Sequence, residues 1–115
     1  DLKYPNRHTL ILGNSIETLP KFIEGNKDKK YDLIFIDGGH EYEIAKQDIE
    51  NSFNLSHKDT IIIIDDTIFR KEWVKSWTIG PTKVWLDNIK DNKIIENGRK
   101  EYSIGRGMSW GKYKI

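Results

Sequence analysis

Three aspartates stand directly after apolar runs that read as β-strands. Asp37 follows Leu33-Ile34-Phe35-Ile36, and the pair Asp65-Asp66 follows Ile61-Ile62-Ile63-Ile64. Short runs without polar alternation suit strands covered on both faces of a parallel sheet. In such sheets ligands bind beyond the carboxyl ends of the strands. Side by side, the two strands carry all three carboxylates to one rim. Like charges that close raise at least one pKa unless a cation lies between them. A hard divalent ion such as Mg²⁺ takes carboxylate and water oxygens, which makes Asp37, Asp65 and Asp66 candidate metal ligands. A single aspartate at a strand end is as readily explained as a cap or turn former. Three on one edge favour a functional rim.

Other residues near strand ends add to this set. His40 follows Gly38-Gly39 at a predicted helix start, where it is a candidate base, a ligand or a neutral cap. Gly13-Asn14-Ser15 closes the first apolar run. His8 and His57 have no comparable setting and are expected to be solvated. Among the four tryptophans, Trp85 falls on a helical stripe and is expected in the core, while Trp73 and Trp77 lie in an aperiodic segment.

The elements that must position these residues alternate. Arg7 to Leu12 reads as a strand, and Ser15 to Gly25 as a helix whose regular part starts near Thr18, because Pro20 fits only in a first turn. After a polar loop, Tyr31 to Asp37 is a second strand. Glu41 to Leu55 is a helix burying Tyr42, Ala45, Ile49 and Phe53. Ser56 to Asp59 closes it, and Thr60 to Asp65 is a third strand. This order predicts an α/β layer structure with right-handed crossovers. Thr67 to Thr78 has no clean period. Gly80-Pro81 is expected to open a helix to about Asp91, burying Val84, Trp85 and Ile89. Lys93 to Ile115 reads as antiparallel strands, with turn signals at Asn97-Gly98 and at Gly105-Arg106-Gly107 that leave the main hairpin open. The latter triplet reads as a plain turn rather than a phosphate cradle. The organisation expected is one domain: a core over 1–66, a lid segment and helix over 67–92, and closing strands over 93–115.

Composition narrows the function classes. The 115 residues are 37% apolar and 32% charged, as in a globular chain. With 19 Lys and Arg against 18 Asp and Glu, a net charge of +1 gives no electrostatic reason to expect nucleic acid or an acidic membrane as partner. The absence of cysteine excludes disulfides, thiolate metal sites and cysteine nucleophiles. No apolar run approaches the ~20 residues of a membrane helix, and no signal-peptide pattern is present, so the cytoplasm is the default location. The chain begins at Asp1 and its only methionine is Met108. Further residues are therefore expected on the N-terminal side.

The stretch Tyr31-Asp-Leu-Ile-Phe-Ile-Asp-Gly-Gly-His-Glu-Tyr42, followed by a helix and Ile64-Asp-Asp-Thr67, resembles the second half of class I S-adenosylmethionine-dependent methyltransferases. The nearest groups are the catechol-type and macrocin-type O-methyltransferases. Ile11 to Pro20 looks like their third strand and its turn, and Gly105 to Gly111 like their closing antiparallel strands. The resemblance implies a partial Rossmann-like sheet, with three parallel strands, an antiparallel pair, and the first two strands missing. It implies S-adenosylmethionine as cofactor, with Asn14 and Ser15 near its adenine, Asp37 beside its methionine part, Gly13 and Gly38 as further cofactor contacts, and His40 near cofactor or substrate. Asp37, Asp65 and Asp66 match the metal site of metal-dependent members, which points to Mg²⁺. His40 and Asp37 become the catalytic candidates, and Trp73 and Trp77 the substrate contacts. The reaction implied is methyl transfer from a sulfonium to a small-molecule hydroxyl.

The family's first strand, glycine-rich loop and ribose-binding acidic residue have no counterpart here. Cofactor binding by this chain alone is therefore expected to be poor, with activity residing in a longer parent. The strand at Tyr31 keeps an unpaired edge, which invites self-association. Two other readings compete. An Mg²⁺-dependent phosphoryl-transfer or hydrolase domain would use the same carboxylates, but only Arg70 and Lys71 stand near enough in sequence to meet a phosphate. A truncated, non-catalytic interaction domain would explain the missing loop but not the intact acidic set.

Overall fold

This computed structural model describes residues 9–115. Its elements are α1 (Ser15–Gly25), β1 (Tyr31–Ile36), α2 (Tyr42–Phe53), β2 (Ser56–Asp65), α3 (Ser76–Lys90), β3 (Ile94–Ser103) and β4 (Arg106–Tyr113), with a 3₁₀ turn at Lys71–Trp73. The four strands form one mixed sheet in the order β1-β2-β4-β3. The isoleucine run of β2 lies parallel to β1, with Leu33 opposite Ile61 and Ile36 opposite Ile64. On its other side β2 runs antiparallel to β4, with Asp65 opposite Met108. Because β1 and β2 point the same way, their carboxyl ends reach one edge, as the apolar runs imply.

The core lies between the helices and one sheet face. Ile36, Ile62, Ile64, Ile94 and Tyr113 from the sheet meet Ala45, Ile49, Val84 and Trp85 from α2 and α3. Trp85 is fully buried, as its place on a helical stripe predicts, and its indole N–H donates to Glu96 Oε2 at 2.6 Å. On the opposite face β1 is bare, with Leu33 60% and Phe35 52% exposed, whereas Ile61 and Ile63 of β2 are half-buried. The sequence pattern implies cover on both faces, but the described helices supply it on one. Among the described residues no helix is long and apolar enough to cross a membrane.

Several expectations are corrected. Thr9 to Leu12 forms no strand, so among the described residues the sheet has two parallel strands rather than three; Arg7 and His8 lie outside the described residues. The segment has no partner strand, and Leu10 and Leu12 are exposed. α1 begins at Ser15 rather than Thr18, because the Asn14 side chain accepts from Ile16 N and caps it; Pro20 is tolerated inside. β2 starts at Ser56 rather than Thr60, with Tyr31 opposite Ser56 across a register shift. On α2 the buried positions are Ala45, Asp48, Ile49 and Ser52, whereas Phe53 is exposed and rests edge-on against Tyr113 at 5.4 Å.

α3 opens at Ser76, ahead of Gly80-Pro81, because Lys75 and Thr78 bond reciprocally at its start. Gly80 instead serves close packing. A Cβ there would stand 2.2 Å from His40 O, so only glycine lets α3 press on the turn before α2. The hairpin turn is Ile104-Gly105, with Gly105 at φ 71°. The Asn97-Gly98 signal marks a register shift within β3, where Gly98 leaves room for the Trp110 ring.

Candidate functional site

Asp37 is the residue after β1, Asp65 ends β2, and Asp66 follows it in the left-handed region at φ 66°. That conformation is uncommon for a side-chain-bearing residue and persists only where neighbours hold it. Here Asp66 N and Thr67 N both donate to Gly107 O, at 2.8 and 3.3 Å, and the buried Thr67 hydroxyl bonds Ser109 Oγ at 2.7 Å. β4 thus holds the turn that aims Asp66 back at the rim.

One carboxylate oxygen from each of Asp37, Asp65 and Asp66 lies within 4.8 Å of the others. Asp65 is half-buried, and burial pushes its pKa above the ordinary value, with the Asp66 and Asp37 carboxylates adding to the rise and a backbone hydrogen bond from Asp66 opposing it. The convergence expected from two apolar runs is therefore met. His40 joins the cluster, with Nε2 3.0 Å from Asp66 Oδ2.

Two depressions flank this cluster. One, of about 310 Å³, is lined by Ser15, Phe35, Asp37, Gly38 and Asp48 among others. The other, of about 680 Å³, is lined by Asp65, Asp66, Trp77, Tyr102, Arg106 and Met108 among others. Of the expected cofactor residues, Ser15, Asp37 and Gly38 share the first depression. Asn14 is occupied in capping α1, Gly13 sits beside Thr18, and His40 lies in a narrow crevice with Gly38, Asp65 and Asp66. Of the expected substrate contacts, Trp77 lines the second depression. Trp73 does not; its ring carries the Arg70 guanidinium at 4.1 Å. His57 is not merely solvated but bonds Asp32 Oδ1 at 2.7 Å through Nε2.

The sequence reading missed Asp48. Its carboxylate is buried on α2, accepts from the Ser15 hydroxyl at 2.8 Å, and stands where a Cβ on Gly38 would collide with it. Burial raises its pKa, and the Ser15 hydrogen bond partly opposes the rise. An acidic residue beside Ile49 on the inward stripe of α2 was the signal.

A family model for a methyltransferase domain matches residues 1–67. The chain belongs to the methyltransferase domain family. Its fold is that of solved O-methyltransferases. One is the O-methyltransferase from Bacillus cereus in complex with S-adenosylhomocysteine, 20% identical, with a TM-score of 0.64 over 87% of this chain and 47% of that one. Another is the TDP-rhamnose 3'-O-methyltransferase of calicheamicin biosynthesis, 16% identical, with a TM-score of 0.68 over 98% of this chain and 44% of that one. The chain thus spans about half the length of these structures. No curated protein matches it. Family and fold together confirm a partial, Rossmann-like methyltransferase sheet and set aside the phosphoryl-transfer reading.

Proposed function

We propose that this chain is the substrate-side half of an S-adenosylmethionine-dependent O-methyltransferase that acts on a small-molecule hydroxyl with the help of a divalent cation. One observation carries the reading: the Asp37, Asp65 and Asp66 carboxylates stand between two depressions. A methyl donor on the Ser15–Asp37–Gly38 side and an acceptor on the Trp77 side would meet at the rim.

The donor set suits Mg²⁺. All three groups are hard oxygens, and one oxygen from each lies within 4.8 Å of the others, a spacing a single small cation could bridge. When bound, the ion supplies Lewis acidity toward the acceptor hydroxyl, whose free phenolic pKa is ~10. Asp37, Asp65 and Asp66 are the residues that would hold it. The cofactor side is half built: Ser15, Asp37 and Gly38 offer one wall, and this sequence has no glycine-rich loop for the other. S-adenosylmethionine supplies an activated methyl group, so the protein has chiefly to align the acceptor.

His40, hydrogen-bonded to Asp66 beside the rim, would take the acceptor's proton. With Asp66 Oδ2 as the acceptor, His40 donates through Nε2–H, which leaves Nδ1 as the ring atom that would receive a proton. Trp77 walls the acceptor side, and the segment between β2 and α3 would act as its lid. The absence of cysteine suits a cytoplasmic setting, and the bare Leu33–Phe35 face suits self-association.

Calorimetric titration with S-adenosylhomocysteine, with and without Mg²⁺, tests the reading on this chain and on an upstream-extended version. Tight binding is expected of the extended protein alone, and its methyl transfer to catechol should fall with chelation or with Asp65→Ala. Absence of binding by both removes the methyltransferase activity. Transfer that survives chelation removes the cation.

A further inference from the structure

The acceptor-side cleft carries a cation that the acidic rim does not use. Arg106, the first residue of β4, lines the same depression as Asp65 and Asp66. The other described arginines are engaged. Arg70 lies over the Trp73 ring, and Arg99 lies 3.6 Å from the Phe69 ring centre while donating to Glu96 at 2.9 Å. The Arg106 guanidinium has no ion pair and no aromatic partner among the described residues, although two carboxylates share its cleft. The cleft is therefore bipolar, acidic at the strand ends and cationic at the hairpin.

The root of Arg106 is held in place. Gly105 N donates to Trp73 O at 2.8 Å, and the Trp77 indole N–H donates to Gly105 O at 2.9 Å. The hairpin turn is thus fastened on both sides to the segment that carries Trp77. Trp77 and the exposed Tyr102 line the same depression; Lys100 Nζ lies 5.7 Å from the Tyr102 ring centre, so Trp77 is the aromatic surface left for a ring. At about 680 Å³ the space is ample for a ring with a substituent.

Building on the proposed function, we infer that the acceptor is a hydroxylated ring joined to an anionic group, with the hydroxyl at the Asp65–Asp66 end and the anion on Arg106. A guanidinium fork matches the oxygens of a carboxylate or a phosphate through two parallel hydrogen bonds. Arg106 would then select the substrate without touching the reacting atoms.

Two matched pairs of probes test this on the 115-residue chain: UDP-glucose against glucose, and 3,4-dihydroxybenzoate against catechol. Titrations are followed by NMR at the Trp77 indole N–H, in EDTA and without cofactor. The anionic member of at least one pair should bind more tightly, on the order of tenfold. Arg106→Gln should erase the preference and Arg106→Lys should keep part of it. A preference in the first pair alone assigns the anion as phosphate, and in the second alone as carboxylate. Equal affinities within both pairs, no response to any probe, or a preference that survives Arg106→Gln overturns the inference. Because metal and cofactor are absent, this outcome is independent of the Mg²⁺ and S-adenosylhomocysteine titrations.

Discussion

Gly80→Ala should loosen the contact on which the His40 turn depends. The added Cβ would lie 2.2 Å from His40 O, 2.9 Å from Tyr42 N and 3.1 Å from Glu41 C. All three are backbone atoms, so no side chain can swing aside. Carbon contacts relax at roughly 3.5–4.0 Å, so α3 and the turn must part by more than about 1 Å. Overpacking of this kind costs about 1–3 kcal/mol, against which alanine regains about 1 kcal/mol over glycine within a helix. With backbone on both sides the cost falls in the upper part of that range, leaving a net loss of about 1–2 kcal/mol. For a domain of this size that lowers Tm by about 5–10 °C. Gly25→Ala is the control, since nothing lies within 4 Å of a Cβ there. Its Tm should hold or rise slightly. Thermal unfolding by circular dichroism reads both variants, and His40 ring signals in NMR should shift only for Gly80→Ala. Equal Tm values for the two variants would refute the claim that α3 presses on this turn.

Three further outcomes follow from other contacts. Asp48 has a raised pKa, so below the ordinary ~3.9 of an aspartate it is neutral whether folded or unfolded and carries no penalty. As pH rises through that value and on through the raised folded pKa, wild-type stability falls relative to Asp48→Asn and then levels off; urea unfolding from pH 3.5 to 7 should show this, and a pH-independent difference would contradict it. Tyr113→Phe removes a buried hydroxyl that donates to Ile49 O at 2.6 Å, with an expected loss of about 1 kcal/mol in the same assay. Phe35→Glu places a charge on the bare sheet face and should lower sedimentation-detected self-association without lowering Tm, whereas unchanged association would locate the contact elsewhere.

The acidic rim was legible because each carboxylate directly follows an apolar run, and a parallel pair of such runs has one way to present its ends. The order of helices and strands from Tyr31 onward was legible for the same reason. Less could be read where a residue's role depends on a distant neighbour. Gly80-Pro81 looks like a helix start locally, yet the glycine is there for the His40 turn and the helix begins where Lys75 and Thr78 bond each other. Asn97-Gly98 has the stronger hairpin chemistry, but β4 pairs on both sides of it and absorbs it as an irregularity. Asp48 disappears into an amphipathic pattern unless the Ser15 hydroxyl is known to stand opposite it. Thr9 to Leu12 has the composition of a strand, but composition does not supply the neighbour that a strand must pair with.

The two sides of the site differ in how far this chain can build them alone. Asp65 and Asp66 hang from β2, which is bonded on both sides, and Gly107 and Ser109 of β4 brace the turn behind them. Arg106 and Trp77 are tied to one hairpin. The proposed acceptor side and two of the three clustered carboxylates therefore rest on a closed set of hydrogen bonds. The donor side rests on β1, whose outer edge has no partner strand among the described residues, and on α1, which is joined to the rest of the site through the Ser15–Asp48 hydrogen bond. Asp37 belongs to both sides, since it ends the open-edged strand yet completes the carboxylate cluster. Metal and anion binding should thus persist in this chain under conditions where cofactor affinity is lost. Pairing the free edge of β1 should restore the donor side first, because Asp37 and Gly38 follow directly from the end of that strand.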